Sequence, residues 1–167
     1  MVFFAAPDMI LDAEAEKRTR NEPRQFYANN ASRIMAIRPG GKKEVNETHV
    51  AWTQTKGVPG VPSPLYYNGR LYTVQNGGIV FSRVAKTGEL VYSGRTGAMG
   101  YYYSSPVAAD NKIYLASEEG VVVVLDGGEE LKVLARNKLD GQILATPAIV
   151  DGKIYVRTED HLYAFGR

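Results

Sequence analysis

The sequence predicts an all-β protein: a partial β-propeller of four-stranded antiparallel blades, about three of them, with a short N-terminal helix. Three observations carry this. A ten-residue pattern recurs three times at a near-constant period. Each copy contains a two-residue turn of the Asn-Gly kind between apolar runs. The composition, with 17 Gly, 8 Pro and 11 Tyr in 167 residues, suits many short strands and tight turns.

The three copies are Ser63–Tyr72, Ser105–Tyr114 and Thr146–Tyr155. Each begins Ser/Thr-Pro, reaches Asn or Asp four residues later, and ends base–aliphatic–Tyr. Pro64, Pro106 and Pro147 lie 42 and 41 residues apart. Proline suits the first residue of a strand, where no ladder donor is needed. Asn68-Gly69, Asp110-Asn111 and Asp151-Gly152 tolerate the positive φ of a type I′ hairpin turn. The returning strand carries Leu71-Tyr72, Ile113-Tyr114 or Ile154-Tyr155, and these tyrosines are expected in the core between blades. Third strands follow at Ile79–Arg83, Val121–Leu125 and Leu162–Phe165, the last offset by about one residue. Fourth strands are expected near Glu89–Ser93 and Leu131–Ala135. Four short strands per repeat of about 40 residues mark a propeller blade. A sandwich would not repeat its sequence, and helical repeats would need a 3.6-residue period.

Upstream the repeat fades. Arg33–Gly40 reads as a third strand with its turn and Val50–Gln54 as a fourth, while the first two strands of that blade leave no recognisable trace. Asp8 suits the cap of a helix over about Met9–Arg20, stopped before Pro23. The expected organisation is a helix and linker over 1–31 and blades over 32–167. The blades divide as a partial one at 32–58, full ones at 59–100 and 101–142, and a three-stranded last one at 143–167.

Composition narrows the function classes. The chain is 44% hydrophobic and 23% charged, with a net charge of +2. That balance does not suggest a nucleic-acid or membrane-surface partner. The absence of cysteine excludes disulfides, thiolate metal sites and a cysteine nucleophile. No apolar run reaches the ~20 residues of a membrane helix. Met1–Ala6 is too short for a signal-peptide core and follows no basic residues, so no signal peptide is expected in this chain.

The repeats resemble those of the quinoprotein-type eight-bladed propellers, the PQQ-like group. That group holds the pyrroloquinoline-quinone (PQQ) alcohol dehydrogenases and the non-enzymatic propeller lipoprotein of the outer-membrane β-barrel assembly machinery. Ser63-Pro64, Asn68-Gly69, Leu71-Tyr72, Gly78 and Lys86-Thr87-Gly88-Glu89 match the family blade. The departures are Tyr92 where the blade's closing Trp is expected and Gly127-Gly128 without a preceding Thr. Trp52, the only Trp, stands at the family's tryptophan position in the partial first blade.

The resemblance implies a non-catalytic interaction or scaffold module in a periplasmic or secreted setting, with a protein partner and no cofactor. It also implies an alternative, a fragment of a PQQ-dependent dehydrogenase holding PQQ and calcium, for which no residues here can be assigned. The blade count suggests the C-terminal part of a longer member with N-terminal blades missing, or two copies completing a ring as a homodimer.

No catalytic or metal-binding set is expected. Asp126-Gly127-Gly128-Glu129-Glu130 lacks the alternating spacing of a calcium loop and reads as a hairpin tip. The candidate binding residues are Arg95, Tyr101, Tyr102, Tyr103 and His161. Arg95 and the three tyrosines lie on a glycine-rich connection between blades, a natural place for recognition. The competing reading packs alternate tyrosines between blades. His161 falls where Gly78 and Gly120 stand in the other repeats, which favours a plain turn residue.

Overall fold

Turn chemistry sets the architecture. In the computed structural model, residues 1–6, 32–42 and 47–166 are described. Asn68 and Gly69 adopt φ of 48° and 77°, Asp110 and Asn111 49° and 55°, and Asp151 and Gly152 49° and 73°. Two consecutive positive φ values are what a type I′ turn demands. Each turn therefore joins a three-residue strand to a longer one in a tight hairpin.

Fourteen strands form four antiparallel sheets among the described residues. Sheet A orders β1 (Val2–Ala6), β2 (Arg33–Ile37) and β3 (Val50–Gln54). Sheet B runs β4 (Leu65–Tyr67), β5 (Arg70–Gln75), β6 (Ile79–Val84) and β7 (Leu90–Arg95). Sheet C runs β8 (Val107–Ala109), β9 (Lys112–Ala116), β10 (Val121–Asp126) and β11 (Val133–Lys138). Sheet D has β12 (Ala148–Val150), β13 (Lys153–Arg157) and β14 (Leu162–Gly166). Each sheet is a blade of a partial propeller. The first strands β4, β8 and β12 approach one another and mark the inner side of the fan.

Two details differ from the sequence reading. Val2–Ala6 is a strand of sheet A, pairing antiparallel with β2 from Val2↔Ile37 to Ala6↔Arg33. The sequence alone assigns residues 1–31 to a helix and linker outside the blades. The fourth strand of sheet C begins at Val133 rather than Leu131, because the β10–β11 turn closes first through the Asp126 N–H to the Lys132 carbonyl. The expected helix at 9–20 and the linker at 21–31 lie outside the described residues.

A β-bulge recurs at one repeat position: Ala36/Ile37, Ser82/Arg83 and Val124/Leu125. It equates β2 with β6 and β10, so β1 takes the place of a second strand. The ladders also equate Trp52, opposite Ala36, with Tyr92, opposite Ser82.

The core lies between the sheets. Alternation along each strand sends one set of side chains to each neighbouring sheet. Ile34, Ala36 and Trp52 meet Leu71 and Ala85 between A and B. Tyr72, Val74, Val80, Ala98 and Tyr102 meet Ile113, Leu115, Val123 and Leu125 between B and C. Ala116, Val122, Ile143 and Val156 fill the C–D interface. Tyr72 is buried as expected, and its hydroxyl donates to the Gly127 carbonyl of the next sheet at 3.2 Å. Tyr114 and Tyr155 are half-buried.

The Ser/Thr-Pro motifs link the inner strands. The Ser63 N–H donates to Ser105 Oγ, and the Ser105 N–H to Thr146 Oγ1, each at 2.9 Å. Arg70 adds a contact between sheets B and C, donating to the Gly128 carbonyl and pairing with Glu129 at 3.1 Å. Arg83 is buried without a carboxylate partner among the described residues. Its guanidinium donates to the carbonyls of Gly88 at 3.1 Å and Lys56 at 2.8 Å.

Candidate functional site

Strand alternation puts the second-to-third-strand turns and the connections between sheets at one end of the fan. The β7–β8 connection, Thr96 to Pro106, crosses this end above the β5–β6 turn. Gly77 N–H donates to the Gly100 carbonyl at 2.8 Å, and Thr96 N–H to the Gly78 carbonyl at 2.8 Å. The crossing is so close that a Cβ on Gly78 would sit 2.2 Å from the Ala98 carbonyl oxygen. Gly120 is overlain in the same way by the β11–β12 connection, where an added Cβ would sit 2.5 Å from the Gly141 carbonyl oxygen. These close approaches explain why the repeat places glycine there.

The connection separates its tyrosines by direction. Tyr102 is 1% exposed. Its N–H donates to Asn76 Oδ1 and its hydroxyl to the Ala98 carbonyl, both at 3.0 Å. Burial raises its hydroxyl pKa above the ordinary tyrosine value. Tyr102 is thus a core residue and not a contact residue, which corrects the expectation for that position. Tyr101 and Tyr103, 57% and 39% exposed, flank it and stack on each other with centroids 6.3 Å apart. Two neighbouring rings both face solvent because the residue between them is pinned inward.

Arg95 closes β7 beside this pair. It is exposed, and its Nη1 donates to the Gly77 carbonyl at 3.3 Å. Through Gly77 and Gly100 it belongs to the same turn as Tyr101. The connection is held from both sides. Arg136 Nε, from β11, donates to the Thr96 carbonyl at 2.6 Å, and Glu118 N–H to the Tyr101 carbonyl at 2.8 Å. The Glu119 side chain lies against Gly100, where a Cβ would come within 2.9 Å of it. Met99 adds an exposed thioether.

The resulting patch comprises Arg95, Met99, Tyr101, Tyr103 and Glu119. Sequence reasoning missed Glu119 and Arg136. Glu119 precedes the repeat glycine Gly120, a position that the blade topology brings to the same end. His161 does not join this patch. It lies in the β13–β14 turn, with its ring 5.6 Å from that of Tyr163. An open cleft of about 620 Å³ lies between the patch and that turn, lined by Glu119, Lys138, Gly141, Gln142 and Glu159.

The arrangement offers aromatic faces, one guanidinium and one carboxylate on a fixed backbone. Aromatic and guanidinium groups are the side chains most enriched at contact hot spots in general. Among the described residues no three His, Cys, Asp or Glu side chains converge as a metal ion would require.

Residues 94–165 match the family model described as outer membrane protein assembly factor BamB. Over that stretch the chain is similar to the PQQ-like β-propeller repeats. Solved structures agree on the fold. The propeller superimposes on BamB from Moraxella catarrhalis with a TM-score of 0.61 at 19% identity, covering 81% of this chain and 41% of that one. A quinohemoprotein alcohol dehydrogenase from Pseudomonas putida HK5 gives a TM-score of 0.52 at 16% identity, covering 65% of this chain and 19% of that one. A chain of the mitotic checkpoint complex gives 0.60 at 14% identity, covering 71% and 39%. The propeller thus spans less than half of the chains it resembles. No curated protein matches it. No helix among the described residues is long and apolar enough to cross a membrane.

Proposed function

We propose that this propeller is a non-catalytic interaction module whose Tyr101–Tyr103 patch holds a protein partner. The exposed, stacked tyrosine pair carries the reading. Exposed aromatics held on a rigid backbone give contact area at low entropic cost. Buried Tyr102 and the hydrogen bonds at Gly77, Thr96 and Glu118 supply that rigidity. Arg95 and Glu119 would orient the partner, and the cleft toward His161 extends the surface along the same end of the fan. Two of the similar structures, an assembly factor and a checkpoint complex, support the reading by analogy. The matched family description supports a periplasmic or secreted setting.

Site-specific photo-crosslinking in cells tests it. A photoreactive residue in place of Tyr101 or Tyr103 should trap a discrete protein adduct. The same residue in place of Leu134, exposed on β11, should not. No adduct from position 101 or 103, or equal adducts from all three, would overturn the assignment. The dehydrogenase alternative is answered separately. Dye reduction with alcohols or sugars after adding PQQ and calcium would establish it.

A further inference from the structure

We propose that Asn68-Gly69 is a site of spontaneous covalent modification, at which the Asn68 side-chain amide is lost through a succinimide. The fold shields the other Asn-Gly pair of the sequence, Asn76-Gly77. The chemistry needs water and no enzyme. The Gly69 backbone nitrogen attacks Asn68 Cγ, and the new C–N bond closes a ring. The bond from Cγ to Nδ2 breaks, and the side-chain nitrogen departs as ammonia with the proton of the attacking amide. Water then opens the ring at either carbonyl and leaves aspartate or isoaspartate. Glycine favours the attack because it has no side chain to crowd its nitrogen. Both pairs share that advantage, so their surroundings must separate them.

Asn68-Gly69 is the tip of the β4–β5 hairpin, and both residues are exposed. No hydrogen bond among the described residues engages the Gly69 N–H, so the attacking nitrogen is free. A Cβ added to Gly69 would meet nothing within 4 Å, so the turn can rotate without striking a neighbour. The side-chain amide makes one contact, a 3.5 Å donation from Asn68 Nδ2 to Asn111 Oδ1, at the long limit for a hydrogen bond. Asn68 holds φ 48°, unfavourable for a residue with a side chain, which lowers the cost of opening the turn. Asn76-Gly77 lies at the other end of β5. There the Gly77 N–H is already given to the Gly100 carbonyl at 2.8 Å. Asn76 Oδ1 accepts the Tyr102 N–H at 3.0 Å, which fixes the carboxamide. Ring closure at Asn76 would break both bonds, which slows it by about tenfold or more. The residue that anchors the tyrosine connection thus keeps its amide, while the new negative charge forms at the opposite end of sheet B. Asp110 and Asp151 stand at the equivalent turn position, each with φ 49°, so the aspartate product fits the same turn.

Peptide mass spectrometry on the full chain, aged in mildly alkaline buffer either folded or unfolded in urea, tests this. Trypsin separates the two pairs, because Gly57–Arg70 carries Asn68 and Leu71–Arg83 carries Asn76. In the folded chain Gly57–Arg70 should gain the mass of an amide-to-acid exchange and split into two chromatographic isomers. It should do so about tenfold or more faster than Leu71–Arg83 changes. In urea the two rates should converge, because glycine follows both asparagines and no fold protects either. Equal rates in the folded chain, an unchanged Gly57–Arg70 there, or a difference that persists in urea would overturn the proposal.

Discussion

Tyr102 gives the sharpest test of the packing. Alanine at this position removes a ring that is 1% exposed and lies between sheets B and C. Truncating a buried aromatic to alanine costs about 3–5 kcal/mol. At about 2–4 °C per kcal/mol for a chain of this size, the melting temperature should fall by about 6–20 °C. Phenylalanine keeps the ring and removes the hydroxyl that donates to the Ala98 carbonyl at 3.0 Å. Leaving that acceptor unsatisfied costs about 1–3 kcal/mol, or about 2–12 °C. Tyr101→Ala serves as the control. Its ring stands in solvent, so its effect should stay within about 0.5 kcal/mol. Thermal melts followed by circular dichroism measure all three. If Tyr101→Ala and Tyr102→Ala melted together, the inward pinning of Tyr102 would be refuted.

Further outcomes follow from individual contacts. Gly88→Ala should destabilise the chain by about 1–2 kcal/mol. Gly88 has φ 77°, and a Cβ there would lie 2.6 Å from the Trp52 ring, so emission from this single Trp should shift to the red. Asn111→Val should cost about 1–2 kcal/mol in urea melts, because Asn111 holds φ 55°, whereas Asn111→Gly should stay near neutral. Burial, with Tyr72 nearby, pushes the Tyr92 hydroxyl up to about 12. A folded pKa above the unfolded value of about 10 means that stability is full below pH 10 and is lost as pH rises toward 12. Tyr92→Phe should flatten that alkaline decline in denaturation midpoints measured from pH 9 to pH 12. Glu129→Gln should leave stability within about 0.5 kcal/mol, because the Arg70 partner carboxylate is solvent-exposed.

Local chemistry was readable in the sequence, and long-range pairing was not. Asn68-Gly69, Asp110-Asn111 and Asp151-Gly152 each encode a hairpin within four residues, and all three adopt the expected left-handed φ values. The 41- and 42-residue spacing then fixes the blade length. Val2–Ala6 escaped notice because it carries no turn signal and pairs with Arg33–Ile37, about thirty residues away. At the candidate site, the period-two alternation of Tyr101, Tyr102 and Tyr103 indicated that one ring could be buried. Which one depends on Asn76 and Ala98, whose approach to Tyr102 follows from the way the connection crosses the β5–β6 turn. Glu119 and Arg136 reach the patch from the next sheet, so nothing near the tyrosines in sequence announces them.

The absence of native cysteine makes the central claim directly measurable. Tyr101→Cys, Tyr102→Cys and Tyr103→Cys would each carry a single thiol, and its labelling rate in the folded chain reports exposure. The account predicts fast labelling at 101 and 103, and labelling at 102 only as the protein unfolds. Equal rates at the three positions, or fast labelling at 102 in a folded chain, would contradict it.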